Sequence, residues 1–165
     1  HTADIDFAAA SFGQGIAVTP LQLITAISTI ANRGSLMKPF IITGTEPHVV
    51  RTILKKESAD QTTAMMVSAV DKAHVAHIPN FTVAGKTGTA QAVDFVRGGY
   101  TKDVINTYTG FFPASKPKIT ILIKLDKPAG APLAGTTVVP AFRELAEFII
   151  DYYGIPPDNL KQDKE

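Results

Sequence analysis

Three β-rich runs follow one another between Phe81 and Leu125 with no helical period between them, and little else in the chain restricts the fold as much. Phe81 to Gln91 reads FTVAGKTGTAQ, Asn106 to Phe112 reads NTYTGFF, and Ile119 to Leu125 reads ITILIKL. In the last run Ile119, Ile121, Ile123 and Leu125 share one face, because side chains alternate along a strand. A polar, glycine-containing stretch from Asp94 to Asp103 separates the first two runs. Strands in direct series pair most simply as an antiparallel meander.

Helical periodicity flanks this block. Leu21, Ile24, Ile27, Ser28 and Ala31 repeat at helical spacing, so residues 21–31 form one amphipathic helix. Thr19 with Gln22 has the pattern of a capping box, Pro20 suits the first turn, and Asn32-Arg33-Gly34 marks the end. A short β-rich run, Phe40 to Thr43, follows Pro39. Ser58 and Gln61 form a second capping-box pattern ahead of Met65, Met66, Ala69, Val70 and Ala73, giving a helix that ends before Pro79. Pro140 is expected to open a last helix, with Phe142, Leu145, Ala146, Ile149 and Tyr153 on its stripe and Gly154 as its stop. Residues 158–165 read as a frayed polar tail after a domain spanning 1–157.

This order of elements is no regular βαβ alternation. It predicts an α+β fold, an antiparallel sheet with helices packed on it. With an apolar run such as Ile119 to Leu125 at an edge, the sheet is expected to need further chain to cover it. His1 in place of an initiator methionine suggests a processed chain or a fragment.

Composition removes whole classes of function. Sixteen Lys and Arg against fifteen Asp and Glu leave a net charge of +1, so there is no basic excess for nucleic acid or an anionic lipid face. No apolar run approaches the roughly 20 residues that span a bilayer. Zero cysteines exclude a disulfide scaffold, a thiol nucleophile and thiolate metal sites. His74 and His77 sit three apart without a third ligand, and solvated histidines at a helix end explain them better than a metal. No cofactor is implied.

The chemistry-bearing segment is Ala84 to Gln91, AGKTGTAQ. On a strand, Thr87 and Thr89 point to one side and Lys86 to the other, so two hydroxyls and an ammonium flank a single edge. Gly88 lets an extended ligand approach the backbone closely and add to the sheet like a further strand. Threonine hydroxyls can donate to a ligand carboxylate, Lys86 can hold the potential positive, and a backbone N–H near Thr89 can face a developing oxyanion. Taken alone, the triplet K-T-G also fits an ordinary surface lysine on an exposed strand. Gly85-Lys86-Thr87 also matches the end of a P-loop, but that pattern requires glycine at position 80, which is Asn80, and a helix after the motif, against which Gly88 and Thr89 argue.

Landmarks outside the triplet decide between these readings. They are Ser11-Phe12-Gly13-Gln14-Gly15, Val18-Thr19-Pro20-Leu21-Gln22-Leu23, Leu36-Met37-Lys38-Pro39-Phe40, the Ala84–Gln91 segment, Tyr108-Thr109-Gly110-Phe111 with Pro113, and Asp126-Lys127-Pro128. Pro140-Ala141-Phe142 and Ile155-Pro156-Pro157-Asp158 complete the series. In this order, they resemble the C-terminal part of a penicillin-binding protein transpeptidase domain of the class B, monofunctional kind, in a fold shared with serine β-lactamases. The K-T-G triplet belongs to the signature set of that family.

The resemblance implies acyl transfer between peptidoglycan stem peptides, in which a serine attacks the penultimate carbonyl of a D-Ala-D-Ala donor and an amine resolves the acyl-enzyme. β-Lactams would mimic the donor. It implies that Lys86 and Thr89 are catalytic, Lys86 in the polar network beside the nucleophile and Thr89 through its N–H as half of an oxyanion hole. Thr87, Gly88 and Thr89 would bind the carboxylate-bearing end of substrate or antibiotic. A membrane anchor upstream and work on the outer face of the cytoplasmic membrane are implied in the same way.

The family's nucleophile pattern S-x-x-K occurs twice, at Ser35 to Lys38 and Ser115 to Lys118. It needs one helical turn to bring amine and hydroxyl together. Ser35 follows Gly34 and its Lys38 precedes Pro39, and Pro117 interrupts the other turn, so neither is expected to serve. No Ser-x-Asn triplet exists. In the family both elements lie upstream of Ser11, so the resemblance implies a nucleophile supplied by upstream chain and a piece that is inactive by itself. A penicillin-recognising sensor without turnover is the alternative within the superfamily, and a P-loop nucleotide-binding protein the alternative outside it.

Overall fold

The computed structural model describes residues 4–94, 96–130 and 133–160. Its elements are α1 (Asp4–Ser11), α2 (Pro20–Ala31), β1 (Ser35–Met37), β2 (Val49–Thr52), α3 (Lys56–Ala73), β3 (Ala84–Val93), β4 (Tyr100–Phe112), β5 (Ile119–Asp126) and α4 (Ala134–Tyr153). The three long strands form an antiparallel meander in the order β3-β4-β5, as the serial β-rich runs predict. β1 and β2 make a separate antiparallel hairpin.

The sheet has two covered faces. On one, Tyr108, Phe112 and Ile121 pack with Val138, Phe142, Ala146 and Ile150 of α4. On the other, Ala84 and Phe111 pack with Met66 of α3 and with Ile27 and Ile30 of α2. The period-two alternation of the central strand sends Phe111 one way and Phe112 the other, and both are fully buried. β4 is the most buried strand of this sheet, having a strand on either side, while α4 contributes the larger share of the buried apolar side chains among the described residues.

α2 begins as its sequence dictates. The Thr19 side chain accepts from the Gln22 backbone N–H at 3.2 Å and the Gln22 side chain accepts from the Thr19 N–H at 2.8 Å. Its end is held to α3 by a two-pronged Arg33–Asp60 pair at 2.9 and 2.8 Å. That pairing keeps the Asp60 carboxyl below the usual carboxylate range.

Five sequence-based expectations are corrected. Phe40 to Thr43 is not a strand: β propensity without a partner does not make one, and β2 pairs with residues 35–37 instead, leaving Ile41 fully exposed. Ser58 is no N-cap, since α3 starts at Lys56 behind Lys55, which makes no side-chain cap. Pro140 does not open α4 but lies inside it. Its ring sits on the exposed face, where water can serve the carbonyl left without an N–H, and Thr136 and Thr137 hydroxyls tie the first turn back to the Leu133 carbonyl. β4 starts at Tyr100, six residues ahead of the expected Asn106, because pairing with β3 extends to Val93↔Tyr100. Asp158 is not frayed: its carboxylate accepts the Thr82 backbone N–H at 2.7 Å and the hydroxyls of Thr82 and Ser115. Residues 161–165 of the expected tail lie outside the described residues.

Candidate active site

Lys86, Thr87, Gly88 and Thr89 all lie on β3, which is an edge strand paired only with β4 among the described residues. Thr87 stands opposite Tyr108 and Thr89 opposite Asn106, so both hydroxyls are on the face covered by α4, while Lys86 starts from the other face opposite Thr109. The alternation expected from the sequence is therefore present. No helix follows the motif, and the chain continues as strand to Val93, a geometry incompatible with a P-loop.

The Lys86 ammonium turns around the edge and donates to the Thr87 carbonyl at 2.7 Å. That carbonyl therefore points away from β4. In an antiparallel ladder, successive residues alternate between facing the partner strand and facing away. The backbone groups of Thr89 consequently point outward too, ahead of the register shift between Gln91 and Val93. An outward-facing N–H, a lysine and two hydroxyls thus share this edge.

α4 takes part in building the site. The Thr89 hydroxyl oxygen accepts the Ala134 N–H at 3.4 Å, and the Asn106 amide donates to the Thr137 hydroxyl at 3.2 Å. With its acceptor side directed to the helix start, Thr89 keeps its O–H free to donate outward. Gly88 carries the reach of Thr107, whose hydroxyl contacts the Gly88 carbonyl at 3.5 Å. A Cβ at Gly88 would come within 2.5 Å of that hydroxyl.

Between α3, β3 and the start of α4 lies a cavity of about 170 Å³ into which Lys86 and Thr87 face. Tyr108 also lines it, a residue that the sequence marks only as part of a β-rich run. Gly85, a glycine inside a β-rich run, was the available signal of a close approach there. Neither S-x-x-K serine lies on a helix: Ser35 begins β1, and the Ser115 hydroxyl donates to Asp158. His74 ends α3 in the left-handed region at φ 60°, and its carbonyl accepts the His77 N–H, so the two histidines shape a turn.

With this edge in place, comparison with known proteins gives it a context. The model of the penicillin binding protein transpeptidase domain matches residues 1–147. The chain belongs to that family. The peptidoglycan D,D-transpeptidase FtsI of Buchnera aphidicola is 33% identical over 162 residues, covering 96% of this chain and 28% of the relative. FtsI of Escherichia coli K12 is also 33% identical, over 95% of this chain and 27% of its own length. Among solved structures, the transpeptidase domain of penicillin-binding protein 3 from Burkholderia pseudomallei superposes with a TM-score of 0.80 at 26% identity, covering 94% of this chain and 49% of that one. Penicillin-binding protein 3 from Mycobacterium tuberculosis complexed with ampicillin superposes with a TM-score of 0.78 at 27% identity, over 95% and 39%. This transpeptidase-family chain thus spans little more than a quarter of the curated relatives it matches and about half of a solved transpeptidase domain. The α+β arrangement, an antiparallel sheet with packed helices, is the fold of those neighbours.

Proposed function

We propose that this chain supplies the substrate-gripping edge of a serine D,D-transpeptidase that cross-links peptidoglycan stem peptides and is acylated by β-lactams. The observation that carries the reading is the free edge of β3, where Lys86, Thr87 and Thr89 converge on outward-facing backbone. An extended peptide ending in D-Ala-D-Ala fits there as an added strand. Thr87 and Thr89 hydroxyls would donate to its terminal carboxylate. The Thr89 N–H would meet the oxygen of the attacked carbonyl as negative charge develops, a donor typically worth about 2.7–4 kcal/mol in the transition state. Lys86 would keep the potential positive beside a serine contributed by upstream polypeptide. The acyl-enzyme forms with loss of the terminal D-Ala, and an amine of a neighbouring stem then takes the acyl group.

Residues 1–157 would form the C-terminal part of this catalytic domain. Among the described residues no helix is long and apolar enough to cross a membrane. The family points to an anchor in other segments of the full-length protein and to work on the outer face of the cytoplasmic membrane.

Intact-mass measurement after β-lactam treatment tests the reading. The 165-residue chain should gain no adduct, whereas the full-length protein should gain one on a serine upstream of His1. An adduct on Ser35 or Ser115, or none on the full-length protein, would refute it.

A further inference from the structure

Asn106 stands opposite Thr89 in the β3–β4 ladder and is fully buried. Tyr108 and Phe112, on the same face of β4, pack into the apolar core with Val138 and Phe142 of α4. Leucine has nearly the shape of asparagine and would fill position 106 without taking an amide out of water. Packing therefore gives no account of the amide. Its nitrogen reaches α4 instead, donating to the Thr137 hydroxyl at 3.2 Å.

The helix start needs such a seat. Leu133, at the N-cap position, makes no side-chain cap, and the hydroxyls of Thr136 and Thr137 turn back on the Leu133 carbonyl at 3.0 and 3.1 Å. Those bonds tie the first turn to itself and do nothing to place it over the sheet. Polar contacts reach the sheet from Thr137, to Asn106, and from the Ala134 N–H, to the Thr89 hydroxyl oxygen at 3.4 Å. The second contact is long and lies at an exposed edge, so it depends on where the buried one holds the helix. Thr89 and Asn106 are ladder partners, and Ala134 and Thr137 share one helical turn, so the four residues close a ring. The consequence for Thr89 is directional. A hydroxyl whose oxygen accepts the Ala134 N–H sends its own proton elsewhere, toward the open edge.

We propose that Asn106 is a positioning residue for Thr89: by seating Thr137, and with it Ala134, it holds the Thr89 hydroxyl with its proton directed at the substrate carboxylate. The inference rests on the reading of the β3 edge as a carboxylate clamp. It gives a buried amide outside the K-T-G triplet the task of fixing how a helix sits on a strand, a use for which core polar groups are retained in some proteins.

The test uses the full-length protein, acylated by a penicillin and by the same compound with its carboxylate converted to an amide. The readout is the ratio of second-order acylation rates, acid over amide. Asn106→Leu should lower that ratio roughly fivefold, part of what one hydrogen bond to a charged group supplies. In a Thr89→Val background the same change should lower it no further, because the two residues act as one unit. Thr137→Val keeps the shape, removes the acceptor and should repeat both results; it decides alone if Asn106→Leu does not fold. A merely structural amide would slow acid and amide alike, so an unchanged ratio overturns the proposal, as does an equal fall in the Thr89→Val background or a Thr137→Val variant without effect. If Thr89→Val lowers the ratio and the other two do not, the clamp stands and only the role of Asn106 falls. A ratio indifferent to Thr89→Val, or a wild-type protein that is not acylated, sinks both.

Discussion

Thr82 gives both its backbone N–H, at 2.7 Å, and its hydroxyl to the carboxylate of Asp158, a residue 76 positions later in the chain. The Ala114 N–H donates in turn to the Thr82 carbonyl at 2.8 Å, and the N–H groups of Asp158 and Asn159 donate to the Asn80 carbonyl. One acid therefore fastens the segment after α4 to the lead-in of β3 and to the turn between β4 and β5. Lys86 lies four residues beyond that knot.

Asp158→Ala should destabilise the protein by about 1 kcal/mol at neutral pH, the low end for unpaired donors because water partly reaches the site. Burial pushes the Asp158 carboxyl up, but the bonds from Ser115 and Thr82 outweigh it and hold it below its ordinary value of 3.8. A depressed carboxyl contributes stability that is present above its unfolded value and lost as pH falls through the folded one. Urea unfolding of both proteins at several pH values checks this: the gap between them should close only below about pH 4.

Gly34 has φ 101°, and a Cβ there would sit 2.0 Å from the Leu54 carbonyl oxygen. Gly34→Ala must therefore move backbone, and a loss of more than about 1 kcal/mol is expected. Gly13, at φ 85° with open space around it, is the comparator and should lose less on the same change. Denaturant midpoints of the two variants decide.

Gly85→Ala should destabilise by roughly 1–3 kcal/mol through overpacking against Tyr108. Removing the ring as well should relieve the clash, so the double variant Gly85→Ala, Tyr108→Ala should cost less than the sum of the singles. A double-mutant cycle measures the coupling, and simple additivity would contradict the contact.

Thr19→Ala should cost about 1 kcal/mol by opening the capping box at the start of α2. The loss should appear as faster amide exchange in residues 21–23, with the sheet unaffected.

Thr89→Val in the full-length protein should slow β-lactam acylation about tenfold or more, through loss of a hydroxyl donor to the carboxylate. Its effect on stability should be small, because the Ala134 N–H that it receives at 3.4 Å is a long bond at an exposed edge. Stopped-flow acylation beside thermal unfolding separates the two.

Local chemistry in the sequence determined α2, the meander and the side alternation of Lys86 against Thr87 and Thr89, because caps, period-two patterns and helical stripes act between near neighbours. It also placed the stop of α4 at Gly154, where the left-handed backbone at φ 56° suits glycine. Only tertiary structure decided how far β4 extended, since that depends on what pairs with what. The same holds for the early start of α4, which has no side-chain cap at Leu133 and whose first turn meets the sheet at Asn106, and for the hairpin that formed at Ser35 instead of Phe40. Asp158 looked like solvent-exposed tail because its partners, Thr82 and Ser115, lie 76 and 43 residues away. Hydrogen bonds and packing across such separations leave no periodicity in the chain, so the clamp behind β3 and the Tyr108 hydroxyl over Gly85 became legible only once the sheet had brought them together.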